Sequence, residues 1–356
     1  MKGLILSGGK GTRLRPLTFT RAKQLIPIAN KPNLFYVVED LVNAGVTDIG
    51  VIISPETGSE IRDALGDGDR WNARFTFIEQ DEPRGLAHAV KTAAGYLADE
   101  AFVMYLGDNL LSGGIGHLVE EFAGGAADSI VLLTPVANPS QFGVAELDDA
   151  GRVVRLVEKP KAPPSDLALV GVYVFSAAVH EVIDRLEPSW RGEYEITDAI
   201  QGLIDADRRV VAHQVRGWWK DTGKPEDLLE ANRLVLSQIA RRVEGELTDS
   251  RADGAVVVEA GARLVRSTVR GPAHIAAGAL IEDGYVGPYT SIGPDAKVLA
   301  SEIEYSILLN EAELRQLPQR MDASVIGQGV VVDGGSTGPR KHAVRLVLGD
   351  YSQVRL

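Results

Sequence analysis

The chain of 356 residues contains no cysteine, which excludes disulfide bridges, thiolate metal ligands and a cysteine nucleophile. It has no apolar stretch near the roughly 18 residues that a membrane-spanning helix needs. The apolar run at the N-terminus is too short for a secretion signal. A net charge of -12 argues against general nucleic-acid binding. We therefore expect a cytoplasmic protein without a membrane or nucleic-acid partner.

Several familiar catalytic and phosphate-binding patterns are also missing. The P-loop pattern G-x-x-x-x-G-K-[ST] does not occur. The dinucleotide pattern G-x-G-x-x-G fails because Leu14 stands where the last glycine belongs. The six histidines form no pair with zinc-ligand spacing, and no G-x-S-x-G elbow is present.

Acidic residues are absent from the first 38 positions, which carry seven lysines or arginines. Leu4–Leu6 reads as a short buried strand, and the glycine-rich loop Ser7–Gly11 follows it. Such a loop exposes backbone N–H groups to a ligand. Arg13 and Arg15 add fixed positive charge that can grip phosphate oxygens in a fork. The sequence therefore predicts a polyphosphate site here.

Strand and helix signals alternate over residues 1–110, which predicts an α/β fold with a Rossmann-like, mostly parallel sheet. The loops Ser7–Arg13, Gln80–Gly85 and Gly107–Asn109 each follow a predicted strand. Ligands bind at the carboxyl ends of such strands, so we expect these loops to meet at one cleft. Residues 130–175 are richer in strand signals, and Asp148–Gly151 predicts a hairpin turn.

The tail has a different period. Val258, Leu264, Ile275, Ile281, Ile292 and Val298 are spaced by 6, 11, 6, 11 and 6 residues. This pattern is typical of hexapeptide repeats and predicts a left-handed parallel β-helix, with an ordinary β-rich domain as the alternative. We expect residues 1–243 to form a catalytic domain closed by a bridging helix over 225–243, and residues 244–356 to form the β-helix. Within it we expect a repeat at Gly327–Asp333, a polar loop at Asp333–Lys341 and a last strand at His342–Leu348.

Two loop aspartates are candidate metal ligands. Asp108 follows a predicted strand and Asp221 precedes a predicted helix, 113 positions later. Mg²⁺ usually takes one or two protein carboxylates, with phosphate and water completing its shell. Either aspartate by itself could equally be a turn or cap residue.

The motifs L-S-G-G-K-G-T-R-L-R-P-L-T, K-Q-L-I-P and N-K-P resemble those of the sugar-1-phosphate nucleotidylyltransferases. The likeness covers roughly the first 240 residues, and the tail is similar to that of the long-form thymidylyltransferases of this family. It implies that Asp108 and Asp221 hold Mg²⁺. It also implies catalytic roles for Arg13, Lys23, Lys159 and Arg191.

The resemblance further implies two binding sets. The nucleotide-binding residues would be Leu6, Gly8, Gly9, Gly11, Thr12, Arg13, Gln24, Gln80, Pro83 and Gly85. The sugar-binding residues would be Leu106, Gly143, Glu158, Lys159, Gly171, Tyr173 and Arg191. Phe142 stands where the family more often has tyrosine, so this position supplies no hydroxyl group.

The implied reaction joins dTTP and glucose 1-phosphate with release of pyrophosphate. A phosphate monoester is already a nucleophile, so catalysis needs positioning, charge neutralisation and a metal rather than a general base. This agrees with motifs built from Arg, Lys, Gly and Asp.

Three alternatives stay open. The first is another nucleotide or sugar, with UTP, ATP or GTP as the donor. The second is a bifunctional enzyme whose β-helix transfers an acyl group, with His274 as base. The third is a non-catalytic regulatory subunit, against which the intact motifs argue.

Because β-helix coils tend to pack against a neighbour, we expect a homo-oligomer. A chain ending near Glu244 should then keep its substrate preference.

Overall fold

The structure, a computed structural model, describes residues 1–125, 127–335 and 343–355. The chain forms two compact units. The sheet unit comprises Met1–Gly9 and Asn33–Asp221, and the β-helix unit comprises Lys10–Pro32 and Thr222–Leu356. Lys10–Pro32 thus clusters with the tail. The division at residues 243 and 244, as a boundary between catalysis and assembly, stays a prediction.

A nine-stranded sheet forms the centre of the sheet unit. Seven strands follow one another in the order Val153–Glu158, Gly143–Leu147, Leu167–Phe175, Phe102–Leu106, Lys2–Leu6, Asp48–Ile53 and Arg74–Glu79. The other two, Ser129–Pro135 and Val210–Gln214, pair with each other, and Ser129–Pro135 also pairs with Leu167–Phe175. The four N-terminal strands are parallel, as predicted for residues 1–110.

Helices pack on this sheet because its central strands Lys2–Leu6, Asp48–Ile53 and Phe102–Leu106 are almost wholly buried. The helices are Asn33–Asn43, Gly58–Leu65, Leu86–Thr92, Ala94–Leu97, Gly116–Ala123, Ala178–Ile183 and Ile196–Asp205. Leu4, Phe102 and Phe175 are fully buried in one hydrophobic cluster of this core. No helix in the part of the chain that the structure describes is long and apolar enough to cross a membrane.

The predicted hairpin is confirmed by the antiparallel pair Gly143–Leu147 and Val153–Glu158. Its turn is organised by the Asp148 carboxylate, whose Oδ1 accepts hydrogen bonds from the backbone N–H groups of Ala150 and Arg152 at 3.0 and 2.9 Å. An aspartate that folds back on its own turn in this way is a common hairpin device.

The tail forms the predicted β-helix, with three parallel sheets. The first sheet comprises Arg242–Val243, Val256–Val258, Ala273–Ile275, Thr290–Ile292, Ile307–Leu308, Val325–Ile326 and Val347–Leu348. The second comprises Glu246–Thr248, Arg263–Val265, Leu280–Glu282, Lys297–Leu299, Glu313–Arg315, Val331–Asp333 and Gln353–Arg355. The third comprises Arg251–Asp253, Thr268–Arg270, Tyr285–Val286, Glu302–Glu304, Arg320–Asp322 and Ala343–Val344.

The register of these sheets explains the spacing seen in the sequence. Val258 pairs with Ile275 and Ile275 with Ile292, so one coil takes 17 residues, the sum of the 6- and 11-residue steps. These side chains are fully buried along the inside of the coil. A parallel stack places equivalent residues of successive coils above one another, so each apolar position must recur.

Two sequence expectations for the tail need correction. The bridging helix ends at Leu236 rather than Val243, because Val243 joins the first coil and pairs with Val258. The predicted last strand is divided into Ala343–Val344 and Val347–Leu348, and Gln353–Arg355 follows it. Residues 336–342, which include most of the predicted polar loop and His342, lie outside the described residues.

Candidate active site

The loops Ser7–Gly9, Gln80–Gly85 and Gly107–Asn109 leave the sheet from the same edge. Leu6 lies between Leu106 and Ile52 in register, and Ile53 lies beside Glu79. Backbone hydrogen bonds extend this alignment into the loops. Gly107 N–H donates to Leu6 O at 3.0 Å, and Gln80 N–H donates to Ile53 O at 2.9 Å. Within the sheet unit, the expected convergence of these loops is therefore observed.

Gln80 has a fixed amide orientation at this edge. Its Nε2 donates to Nδ1 of His88 at 2.8 Å, and its Oε1 lies 3.3 Å from the position that a Cβ of Gly8 would take. Burial lowers the pKa of His88, and the charges of Arg84 and Lys91 lower it further. A neutral ring can accept this hydrogen bond, which uses one of the two N–H groups of Gln80 and fixes which side of the amide carries the oxygen.

The loop after Gln80 depends on Gly85. Its φ is +104°, in the region that only glycine adopts readily, and a Cβ there would overlap the backbone of Tyr194. Tyr194 N–H donates to Arg84 O at 2.7 Å, and Ala87 N–H donates to Tyr194 O at 3.1 Å. Pro83 is exposed in this loop.

In the β-helix unit, Gly11 has φ +61° and precedes the 3₁₀ turn Thr12–Leu14. Thr18 Oγ1 donates to Gly11 O at 2.7 Å, which holds the turn closed. The guanidinium of Arg13 lies over Gly223, with Nη2 only 2.8 Å from the position that a Cβ would take. Because Gly223 has no side chain, the guanidinium of Arg13 can occupy this space.

Lys23 and Gln24 lie in a second turn, Lys23–Leu25. Gln24 is almost fully buried, and among the described residues its Oε1 has no hydrogen-bond partner. An unpaired buried acceptor is costly unless a ligand supplies the donor.

The two predicted metal ligands lie at the ends of two paired short strands of the sheet unit, Asn109–Leu111 and Trp219–Asp221, with Asp108 one residue before the first strand. Asp221 pairs directly with Asn109, the residue after Asp108. The Asn109 side chain contacts residues on both sides, because its Nδ2 donates to Asp108 Oδ1 at 3.1 Å and its Oδ1 accepts from Trp219 Nε1 at 2.6 Å. No cluster of three or more His, Cys, Asp or Glu suited to a metal occurs in residues 1–125, 127–335 and 343–355. That Asp108 and Asp221 hold Mg²⁺ together with phosphate stays a prediction, and two carboxylates are a number that this cation commonly takes from a protein.

A third group surrounds the carboxylate of Glu158. Its Oε1 lies 3.4 Å from both Lys159 Nζ and Arg191 Nη1, and its Oε2 accepts from Thr197 Oγ1 at 3.4 Å. Lys159 has φ +41°, which is strained for a residue with a side chain. The structure thus places Arg191 beside the sequence neighbours Glu158 and Lys159, 33 positions from Glu158.

Comparison with known proteins agrees with this geometry. The Nucleotidyl transferase family profile matches residues 2–238. The chain belongs to this family. Glucose-1-phosphate thymidylyltransferase of Streptomyces antibioticus is 50% identical over 100% of this chain and 99% of its own length. The low-salt glycan biosynthesis nucleotidyltransferase of Haloferax volcanii is 48% identical over the full length of both chains.

A solved structure from Bacillus anthracis, assigned provisionally as a glucose-1-phosphate thymidylyltransferase, is 35% identical. It superposes with a TM-score of 0.62 and covers 66% of this nucleotidyl transferase and 94% of its own chain. The family is generally metal-dependent, which agrees with the paired carboxylates.

Three other residues predicted to bind the sugar lie in strands of the sheet of this nucleotidyl transferase, namely Gly143, Gly171 and Tyr173. Gly171 allows close packing, since a Cβ there would lie 2.7 Å from Leu106 Cδ1 and 2.8 Å from Asn109. Gly143 stands at the strand end beside Glu158. Tyr173 is buried in the core, and burial together with Glu158 raises its pKa. The binding roles of these residues stay predictions.

Sequence reasoning missed His88, Glu193 and Glu195. Arg191 donates from Nη2 to Glu193 at 2.9 Å and from Nη1 to Glu195 at 3.1 Å. Burial raises the pKa of Glu195. The R-G-E-Y-E motif does place two acids near Arg191 in sequence, but only the loop conformation shows that both contact the guanidinium. For His88 the available signal was its position three residues after Gly85, at the start of a helix.

Proposed function

We propose that this protein is a glucose-1-phosphate thymidylyltransferase, which converts dTTP and α-D-glucose 1-phosphate to dTDP-glucose and pyrophosphate. The observation that carries the proposal is the 50% identity with a relative of that name over the whole of both domains. The geometry of Gln80, of the paired carboxylates and of the Glu158 group supports the same conclusion.

Gln80 would select a base with an imide edge, such as thymine. Thymine presents an imide edge with one N–H donor between two carbonyl acceptors. The fixed Oε1 of Gln80 accepts from the N–H, and the second hydrogen on Nε2 donates to a carbonyl. Uracil presents the same edge, so other contacts would decide between dTTP and UTP.

Asp108 and Asp221 would hold Mg²⁺, and Asn109 would keep the Asp108 carboxylate in place. When bound, the cation neutralises triphosphate charge and orients the α-phosphate. The chain supplies the rest of the positive charge. Lys159 and Arg191 bind the phosphate of the sugar, Lys23 contacts the reacting phosphates, and Arg13 receives the leaving pyrophosphate.

In the reaction, a phosphate oxygen of glucose 1-phosphate attacks the α-phosphorus in line. The new P–O bond forms as the bond to the β-phosphate oxygen breaks, and pyrophosphate takes the electron pair. No residue has to remove a proton. Glu158 orients sugar hydroxyls while its neighbours Lys159 and Arg191 hold the phosphate.

We also propose that the enzyme is cytoplasmic and homo-oligomeric.

A pyrophosphate-release screen tests the proposal. Five nucleoside triphosphates are crossed with several sugar 1-phosphates, with and without Mg²⁺. We expect the highest kcat/KM with dTTP and glucose 1-phosphate. A clear preference for UTP, ATP or GTP, or for another sugar, would instead make the enzyme a nucleotidyltransferase of that specificity. Release with no pair at all would contradict an enzymatic function.

Replacement of Lys159 by alanine should raise KM for the sugar phosphate while kcat changes little. The phosphate charge exists before the reaction, so its loss affects binding in the ground state. A charge-assisted hydrogen bond contributes about 1.5–3 kcal/mol, which corresponds to a KM increase of roughly 10- to 100-fold. Steady-state kinetics with varied glucose 1-phosphate measures it. The exposed neighbour Lys161 provides the matched control, Lys161→Ala. An unchanged KM in Lys159→Ala would remove this residue from the sugar-phosphate site.

A further inference from the structure

The segment Lys10–Pro32, which carries Arg13 and Lys23, is anchored to the last two coils of the β-helix. Thr20 Oγ1 donates to Asp350 Oδ2 at 2.8 Å, and Arg21 Nη2 donates to Gln328 Oε1 at 2.6 Å. The same Arg21 nitrogen lies 3.6 Å from Asp350 Oδ2. Thr20 and Arg21 fall between the two turns that hold Arg13 and Lys23. These contacts span more than 300 positions of sequence.

The Asp350 side chain is buried at the contact between this segment and the end of the β-helix. Only 4% of its side chain is exposed, and its Oδ1 accepts a hydrogen bond from the backbone N–H of Gln328 at 2.7 Å. The preceding Gly349 packs so closely that a Cβ on it would lie 3.0 Å from Pro16 O. A buried carboxylate is stable only when hydrogen bonds and a charge partner compensate for lost hydration. Asp350 obtains both, from the segment and from Gln328 in the preceding coil.

The other end of the segment is held by the middle of the β-helix unit. Asn30 Nδ2 donates to Ile292 O at 2.9 Å, and His274 Nδ1 lies 3.0 Å from Ala29 O. Ala29 N–H donates to Asn232 Oδ1 at 2.8 Å. The other ring nitrogen of His274 lies 2.8 Å from Glu259 Oε1. Both nitrogens of His274 therefore make contacts within the chain, which does not favour the acyl-transfer alternative.

The part of the segment between these anchors has little regular structure of its own. It consists of the short 3₁₀ turns Thr12–Leu14, Leu17–Phe19 and Lys23–Leu25 and the two-residue strands Pro27–Ile28 and Lys31–Pro32. Short turns with few internal hydrogen bonds open easily unless outside contacts hold them. Charged groups that act on a phosphate must stay within about 0.5 Å of their working positions.

We propose that Asp350 and Gln328 are positioning residues for the reaction, which hold Thr20 and Arg21 and thereby place Arg13 and Lys23. The β-helix then takes part in catalysis without touching substrate. The roles of Arg13 and Lys23 in this statement rest on the proposed function. The anchoring itself rests only on the contacts described above.

Two variants of the full-length protein test the proposal, Asp350→Ala and Gln328→Ala. Each should lower kcat/KM for the nucleotide at least tenfold at temperatures well below the thermal transition. KM for the sugar phosphate should stay within twofold, because Lys159 and Arg191 belong to the other unit. If Asp350→Ala fails to fold, Gln328→Ala, which removes no buried charge, decides the question alone.

Leu314→Ala provides the stability control. Leu314 is fully buried within the β-helix, so its truncation should lower Tm without changing either kinetic constant. If Asp350→Ala and Gln328→Ala also lower only Tm, or change nothing, Asp350 and Gln328 have no positioning role.

Limited trypsin digestion gives a readout that does not depend on activity. Cleavage after Arg13, Arg21 and Lys23, followed by mass spectrometry, should be faster in Asp350→Ala and Gln328→Ala than in the parent or Leu314→Ala. If the parent shows no pyrophosphate release, the proposed function fails while the digestion still tests the anchoring. If the parent is active and neither the kinetics nor the digestion responds to the two variants, the anchoring proposal fails while the proposed function stands.

Discussion

Asp108→Asn and Asp221→Asn should each lower kcat on the order of a hundredfold or more, with the fold intact. Each change removes one negative charge from the two-carboxylate set. The amide keeps the size of the side chain and most of its hydrogen-bonding capacity, so the change isolates the charge. Steady-state kinetics across a Mg²⁺ titration, with circular dichroism to check folding, measures the effect.

Asp108 and Asp221 can be tested as a pair, because Asp221 lies opposite Asn109, the residue after Asp108. Because both carboxylates serve one cation, the double variant should lose little more than either single variant. Asp149→Asn is the control, since Asp149 is exposed in the hairpin turn. Normal turnover at saturating Mg²⁺ in either single variant would show that the altered aspartate does not hold the metal.

Arg13→Ala should lower kcat by roughly 10²- to 10³-fold, the range seen when one preorganised donor to a developing charge is removed. Negative charge grows on the leaving pyrophosphate as the bond breaks, so the loss falls on the transition state. KM for glucose 1-phosphate should change little. Kinetics with both substrates varied separates the two constants.

Arg15 gives the matched control for Arg13. It lies two positions away and carries the same charge, but its guanidinium stacks on the ring of Phe19 at 4.9 Å. Arg15→Ala should therefore change kcat only a few-fold. Equal losses in Arg13→Ala and Arg15→Ala would indicate a general electrostatic effect of the segment rather than a specific contact with pyrophosphate.

The role of the tail is where sequence and structure lead to different expectations. From the sequence, no substrate motif lies beyond the bridging helix, so a chain that ends near Glu244 should keep its nucleotide and sugar preference. The structure shows that such a chain would lose Asp350, Gln328 and His274, which contact the segment around Arg13 and Lys23. We therefore expect a shortened chain to be impaired in nucleotide turnover as well as in stability.

Patterns local in sequence were sufficient for the family and the fold class. The glycine-rich loop followed by Arg13 is contiguous, and alternating strand and helix signals predict the parallel sheet. The 6- and 11-residue spacing predicts the β-helix because stacked coils repeat the same buried positions. In each case the physical constraint acts over a few residues or repeats at a fixed interval, so it leaves a readable pattern.

Contacts between distant positions were decided only by the tertiary structure. Asp221 lies beside Asn109 because two short strands pair, and Gln80 is oriented by His88 across a loop. Thr20 contacts Asp350 although 330 positions separate them. Each partner by itself looks like an ordinary surface or turn residue. Its environment depends on how the chain folds back on itself, and that arrangement has no counterpart in any short stretch of sequence.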